Sequence, residues 1–307
     1  MAWLLEREVR RELPEEWKGI VPTKVFVEEA LSIVDKANAA GTTLRVLGGL
    51  GAAIHSGELA EFAEKLGRVG TGATQGQEYS DIDFMAYAQQ REKVKELFSK
   101  LGYVKRKATL SSAASERQIY YHPKGWFYVD VFFDRLLVAN HPLDFRGRLE
   151  LEYPTVSISD ILLEKIQMWE VFSAKDLKDC LLILKSHAVE TRAVKESIDA
   201  EYIAKLLSED WGFWYTATTN LKKIAKFVHE IDRLGKEVGI DAGNLEKDEL
   251  EEIVARINKL LEIIEAKPKP FKWKMRAKIG TKQRWYNPVE RPETVSGFGI
   301  WEAILKQ

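Results

Sequence analysis

The sequence predicts an α+β protein in which a mixed-sheet domain comes first and a helical domain follows. Short apolar runs that favour β-structure, broken by glycine turns, lie in the first half of the 307 residues. From about residue 156 onward, apolar residues instead recur with helical spacing. We therefore predict a sheet domain over residues 1–155, a helical domain over residues 156–266 and a basic, aromatic C-terminal tail over residues 267–307.

The first half begins with a strand, a glycine turn and a helix. Residues 42–47 are typical of a buried strand, which ends at Gly48 and Gly49 before a helical segment over residues 50–56. A glycine-rich loop over residues 67–77 follows later and leads to the next strand. The other helices predicted in this half cover residues 23–40, 58–66 and 91–101, and the other strands cover residues 103–109 and 117–121.

The second half is predicted to be helical throughout. Tyr153-Pro154 breaks the strand pattern, and strand signals fade after it. Ser173 and Asp176 have the spacing of a capping box at the start of one helix. The predicted helices cover residues 159–172, 173–187, 199–207, 218–238 and 247–266.

Two strands of the sheet domain carry carboxylates. Asp81 and Asp83 lie one residue apart in the run of residues 78–85, and side chains alternate along a strand, so both lie on one face. Asp130 repeats the arrangement in residues 126–133, where an acid among aromatic residues is costly to bury without a cation or partner. Three acids behind a glycine turn predict a site that holds Mg²⁺ and a nucleoside triphosphate.

The chemistry of nucleotide transfer explains these residue types. Phosphoryl transfer requires metal ions that neutralise charge on phosphate oxygens and align the attacking hydroxyl. Mg²⁺ prefers oxygen ligands, and a carboxylate pair plus a third acid can ligate two ions, with Mn²⁺ as an alternative. Glycines before a helix expose backbone N–H groups to phosphate oxygens at the positive helix end.

Residues 47–49, 80–84 and 129–131, taken in order, resemble the three-part signature of the nucleotidyltransferase-fold (polymerase-β-like) superfamily. That signature is a glycine pair, an acid-x-acid strand and a later acid between apolar residues. The resemblance covers roughly residues 42–133, and it departs from some members in that Leu50 stands where they have a serine.

The resemblance implies a nucleotidyltransferase fold and a set of site residues. The catalytic, metal-binding carboxylates would be Asp81, Asp83 and Asp130. The nucleotide would be contacted by Gly48, Gly49 and Ser80. The implied reaction is metal-dependent transfer of an NMP from an NTP to a hydroxyl acceptor, with release of pyrophosphate.

A second stretch, residues 162–165 and 175–179, is similar to the helical region of the AbiEii toxin-like group within that superfamily. This likeness implies that Lys165 or Lys175 contacts phosphate, that Asp179 has a supporting role and that an antitoxin protein is a partner. From the residues alone, other roles stay open, because lysines on helices are commonly solvated.

The acceptor of the nucleotide is left open among RNA such as tRNA, a small molecule and a protein side chain. Residues 267–284 carry eight basic residues and no acid, interleaved with Phe271 and Trp273, and Trp285 follows directly. Basic and aromatic residues in this mix bind phosphates and stack bases, which favours RNA contact. The alternative is an ordinary solvated segment.

The main alternative function is a nucleotide- or RNA-binding module on the same fold without turnover. A dinucleotide-binding turn is disfavoured, because the third fingerprint position after Gly49 and Gly51 falls on Ile54. Scattered histidines disfavour a zinc site, and the single cysteine, Cys180, excludes an internal disulfide.

Composition limits the remaining classes. The chain has 46 basic and 47 acidic residues, a net charge of −1, so its overall charge favours neither nucleic acid nor membrane. No run approaches the roughly 18 uncharged apolar residues that a spanning helix needs, and the N-terminus lacks the apolar core of a signal peptide. We therefore expect a cytoplasmic protein that contacts no membrane.

Overall fold

The chain forms two compact units in the computed structural model, which describes residues 12–67, 78–106, 117–137 and 139–289. Described residues within Met1–Ile54, Val69–Leu137 and Asp144–Ser157 make up the sheet unit. Those within His55–Arg68, Val138–Leu143 and Ile158–Gln307 make up the helical unit. Three predicted segments lie outside the described residues: loop residues 68–77, strand residues 107–109 and tail residues 290–307.

The described residues form nine strands and eleven α-helices. The strands are β1 (Leu44–Val46), β2 (Asp81–Ala86), β3 (Val104–Lys105), β4 (Arg117–Tyr121), β5 (Tyr128–Phe133), β6 (Arg135–Leu136), β7 (Leu143–Asp144), β8 (Val189–Glu190) and β9 (Ile198–Asp199). The helices are α1 (Thr23–Ala39), α2 (Gly48–His55), α3 (Ala60–Lys65), α4 (Arg91–Lys100), α5 (Ile158–Ile166), α6 (Ala174–Ser186), α7 (Ala200–Glu209), α8 (Trp211–His229), α9 (Ile231–Leu234), α10 (Lys247–Ala266) and α11 (Phe271–Ile279). This content confirms the α+β class.

The sheet unit is built on a mixed sheet with strand order β1-β2-β5-β4-β3. β2 and β5 are parallel, and the other neighbours in this order are antiparallel. β4 and β5 form a hairpin, whose turn includes Gly125 at a φ of 66°. The two acid-bearing strands are therefore direct neighbours at the centre of the sheet.

One face of the sheet packs against α1 and α4 and forms the hydrophobic core. Ile82 and Phe84 of β2, and Val129 and Val131 of β5, are fully buried on this face. Side chains alternate between the two faces of a strand, so the residues between them lie on the opposite face. Those residues include the three carboxylates.

Helix boundaries in this unit follow local signals. α1 ends within one residue of the predicted end, and Gly41 then takes a φ of 64°, which favours glycine. The helix predicted over residues 50–56 begins earlier, at Gly48.

The helical unit follows the prediction closely in α6 and α10 and differs in α5 and α8. Ser173 and Asp176 form the predicted capping box of α6, and α10 has the predicted bounds. α5 ends at Ile166, six residues before the predicted end. α8 begins at Trp211 rather than residue 218, because the Asp210 side chain accepts a hydrogen bond from the Phe213 N–H at 3.0 Å and caps the helix there.

The predicted tail contains a helix that the sequence analysis did not place there. α11 follows Pro270, and Trp273 packs edge-on against Trp214 of α8 with ring centroids 5.0 Å apart. Tertiary contact of this kind stabilises a short helix that propensity alone would leave marginal. Across the described residues, every helix is too short or too polar to cross a lipid bilayer.

Candidate functional site

The three predicted carboxylates lie on one face of the sheet. β2 and β5 pair in parallel with Asp83 opposite Asp130, and Asp81 lies opposite Tyr128. Neighbouring strands are about 4.8 Å apart, so the backbones carrying Asp83 and Asp130 are in direct contact. This register places the three acids on one face of two adjacent strands, which the spacing within each strand could not establish alone.

Asp130 is buried, and its two carboxylate oxygens have different surroundings. Arg117 Nη1 donates a hydrogen bond to Oδ2 at 2.7 Å. Oδ1 is buried and has no hydrogen-bond partner among the described residues. Burial raises the pKa of Asp130 to about 6, with Arg117 opposing the rise and Asp81 adding to it. An unpaired buried acceptor is costly, so Oδ1 is a position where a cation or a donor would stabilise the site.

Gly48 is fitted against the Asp83 carboxylate. Its φ is 72°, and a Cβ at this position would lie 2.9 Å from Asp83 Oδ2. The Leu47 N–H donates to the Asp83 backbone oxygen at 3.0 Å, which holds the turn against β2. The backbone conformation therefore favours glycine at residue 48, and any side chain there would displace the Asp83 carboxylate. Gly49 follows in the first turn of α2 and is half-buried.

Two neighbouring side chains donate hydrogen bonds to the Asp81 carboxylate. The Ser80 hydroxyl donates to Asp81 Oδ1 at 3.0 Å. Tyr128 also hydrogen-bonds to Asp81, and burial together with the charges of Asp81 and Asp130 raises the pKa of its phenol. The phenol therefore stays protonated and acts as a donor to the carboxylate.

The sequence analysis missed two members of this site, Tyr128 and Arg117. Tyr128 was within reach, since it precedes Asp130 by two residues on one strand and so lies on the same face. Arg117 could be found only from the β4–β5 register, which sets it opposite Phe132 and brings its guanidinium to Asp130.

Asp134, which directly follows β5, lies in a turn. Its φ is 59°, and its Oδ1 accepts a hydrogen bond from the Ala88 N–H at 2.9 Å. It therefore has a structural role at the end of β5.

The predicted phosphate-binding lysines belong to the helical unit. Lys165 is buried on α5, with its Nζ 3.3 Å from Asp179 Oδ2 and 3.4 Å from Asp176 Oδ1. Lys175 lies half-buried near the start of α6. Lys165 is thus held by carboxylates of its own unit, and a phosphate contact by either lysine stays a prediction.

The aromatic residues predicted to stack bases are largely packed within the helical unit. Trp273 contacts Trp214, and Trp285 lies edge-on to Trp211 at 6.4 Å. Phe271 is the member of the set that is strongly exposed. The structure therefore offers less open aromatic surface in this segment than the sequence suggests.

The chain matches no family model, no curated protein and no solved structure. The case for a function therefore comes from the geometry of the carboxylate face and the turn beside it.

Proposed function

We propose that the chain is a metal-dependent nucleotidyltransferase that moves an NMP from an NTP to a hydroxyl acceptor and releases pyrophosphate. The observation that carries this proposal is the parallel register of β2 and β5, which sets Asp83 opposite Asp130 on the same face as Asp81. The nucleotidyltransferase-fold resemblance of these residues adds to it.

The residue types on this face suit a divalent cation. Asp81, Asp83 and Asp130 supply carboxylate oxygens, and Asp130 Oδ1 is a buried acceptor that lacks a partner among the described residues. Mg²⁺, or Mn²⁺ in its place, would neutralise charge on the phosphate oxygens when bound. Gly48 leaves room beside Asp83 that any side chain would fill.

The reaction forms a bond between the acceptor oxygen and the α-phosphorus. It breaks the bond from that phosphorus to the oxygen that bridges to the β-phosphate, and pyrophosphate leaves. The acceptor hydroxyl loses its proton in this step, and a carboxylate oxygen of this face that does not bind the cation would receive it. Backbone N–H groups at Gly48 and Gly49, at the positive end of α2, would bind phosphate oxygens.

A non-catalytic nucleotide- or RNA-binding module is the second candidate, and one contact favours it. The Arg117 guanidinium already neutralises Asp130 through Oδ2. A cation supplied by the chain itself reduces the need for a metal ion at this acid, as expected of a site that binds nucleotide without turnover.

The test is incubation with each labelled NTP, Mg²⁺ and total cellular RNA, scored for pyrophosphate release and for the fraction that takes up label. We expect release by the wild-type chain and its loss in Asp81→Asn, Asp83→Asn and Asp130→Asn, with thermal unfolding showing that each variant is folded. Asp134→Asn is the matched control, since it removes a carboxylate at the end of β5 outside the metal set and should retain transfer.

The outcomes separate the two candidates. Turnover retained in Asp83→Asn would contradict the metal-site proposal. NTP binding measured by calorimetry, without pyrophosphate release under any acceptor, would support the binding module. Label in RNA, in a small molecule or in protein would identify the acceptor, and co-purification of a specific inhibitory protein would identify an antitoxin.

A further inference from the structure

Helix α11 presents an apolar stripe away from the helical unit. Phe271, Met275 and Ile279 recur every four residues, which places them on one side of the helix. They are 78%, 44% and 40% exposed, so this stripe is open to solvent. Large apolar side chains that share a face and stay exposed typically mark an interaction surface.

The opposite face of α11 fixes the helix on α8. Trp273 packs against Trp214, and the Arg276 guanidinium lies 4.6 Å from the centroid of the Trp211 ring. Arg276 Nη1 also donates to the Gly280 backbone oxygen at 2.7 Å. The apolar stripe is therefore carried on an anchored helix and not on a loose end, which lowers the entropic cost of binding to it.

Positive charge surrounds the stripe. Lys272, Lys274 and Lys278 are exposed, and in the described part of the chain their side chains make no ion pair or hydrogen bond. Residues 267–284 hold eight basic residues and no acid. A partner for this surface should combine an apolar groove with negative charge.

The same unit contains such a groove, at the junction of α8, α9 and α10. Its volume is about 580 Å³, and its apolar lining includes Ile231, Leu245, Leu250 and Val254. Asp232 and Glu251 are exposed side chains of the same lining, which also includes Lys247, 3.4 Å from Glu251. Residues 230–252, which contain much of this lining, hold nine acidic and three basic residues.

The groove and α11 lie at opposite ends of α8. α11 contacts Trp211 and Trp214 in the first turn of α8, whereas Val228 and His229 at its end line the groove. Val228 lies seventeen positions after Trp211 on this helix, which corresponds to about 25 Å. The stripe of one molecule therefore does not reach its own groove.

We infer that a second copy of this chain is the partner, with the apolar stripe of α11 in one copy seated in the acidic groove of α8, α9 and α10 in the other. Two copies with their α8 helices side by side and antiparallel bring each stripe to the partner's groove. Such a pair is closed, because each copy gives and receives the same contact. The association is expected to weaken with salt, since opposite charges meet across it.

The test measures self-association of the full chain by sedimentation at increasing concentration. Phe271→Glu places a negative charge in the stripe, and Ala255→Arg places a positive charge in the groove, where it repels the lysines around the stripe. Both residues are exposed, so neither substitution disturbs the core. Each variant should raise the dissociation constant for self-association by at least about tenfold, the loss typical of an interface anchor. Leu151→Glu is the matched control, since Leu151 is 51% exposed and lies in the sheet unit. This variant should self-associate like the wild type.

A mixture of the two variants gives the sharpest result. The Phe271→Glu copy retains its groove and the Ala255→Arg copy retains its stripe, so an equimolar mixture should associate more strongly than either variant alone. The double variant with Lys272→Glu and Glu251→Lys should likewise restore the self-association that each single charge reversal weakens.

Three results would overturn the inference. These are a wild-type chain that stays monomeric at every concentration, a Phe271→Glu variant that dimerises like the wild type, or a mixture that associates no better than its components. Binding of the monomeric wild type to vesicles rich in phosphatidylserine, lost in Phe271→Glu, would assign the stripe to a lipid surface instead.

Discussion

Replacing Gly48 by alanine tests whether the turn before α2 and the carboxylate of Asp83 form one site. The backbone at Gly48 has a φ of 72°, a conformation that costs an L-residue about 1–2 kcal/mol. A Cβ would lie 2.9 Å from Asp83 Oδ2, and the carboxylate must withdraw to the 3.4 Å at which ordinary contact begins. We therefore expect both a loss of stability and a displaced ligand.

The two effects have different magnitudes and different assays. A loss of about 1–2 kcal/mol lowers the melting temperature by about 2–8 °C, which thermal unfolding followed by circular dichroism would measure. Displacement of a reacting group by a fraction of an ångström costs roughly 10- to 100-fold in rate. Calorimetric titration with Mg²⁺ and the pyrophosphate assay would measure this second effect.

Gly41→Ala is the control for backbone strain. Gly41 has a φ of 64° in the same unit, but a Cβ there would meet nothing within 4 Å. It should therefore lose a similar amount of stability and keep metal binding and transfer unchanged. If Gly48→Ala and Gly41→Ala behave alike in the Mg²⁺ titration, the turn is only structural and the proposed link between Gly48 and Asp83 is wrong.

Two further substitutions test the charges that the structure places in buried sites. Burial raises the Asp130 pKa from 3.8 to about 6, so this carboxyl favours folding below about pH 4 and the stabilisation is lost as the pH rises through 6. Asp130→Asn in the presence of a chelator should therefore gain stability over the wild type at pH 7–8, by at most about 3 kcal/mol, and denaturant titrations should show the gain shrinking below pH 5. An equal difference at every pH would contradict this. Lys165→Met removes a cation 3.3 Å from the buried Asp179 and should cost about 3 kcal/mol in urea unfolding, whereas Lys175→Met should cost less than about 1 kcal/mol. Similar losses in both variants would argue against a structural role for Lys165.

The carboxylate face was predictable because strand periodicity is local. Asp81 and Asp83 share a face whatever the neighbours of β2 are. Helix ends marked by Gly41, or by the capping box of Ser173 and Asp176, were predictable for the same reason. Each of these signals is complete within a few residues of sequence.

The features that the sequence did not reveal depend on contacts between distant segments. α11 has a basic sequence behind two prolines, and its helix is anchored by Trp214, 59 positions before Trp273 in the chain. The contact of Lys165 with Asp179 needs α5 and α6 to pack side by side. Composition and periodicity do not predict packing between such distant segments.

Arg117 decides how the two candidate functions differ at the level of atoms. Its guanidinium binds only Oδ2 of Asp130, and Oδ1 remains buried without a described partner. The pKa of Asp130 stays above its ordinary value despite the ion pair with the half-exposed Arg117 guanidinium. This ion pair therefore does not fully offset the cost of burying the charged carboxylate. A site that only neutralises Asp130 would need a donor for each carboxylate oxygen. A site that receives a cation or a proton needs one of these oxygens without a hydrogen-bond partner. The absence of a described partner at Asp130 Oδ1 therefore favours the catalytic candidate.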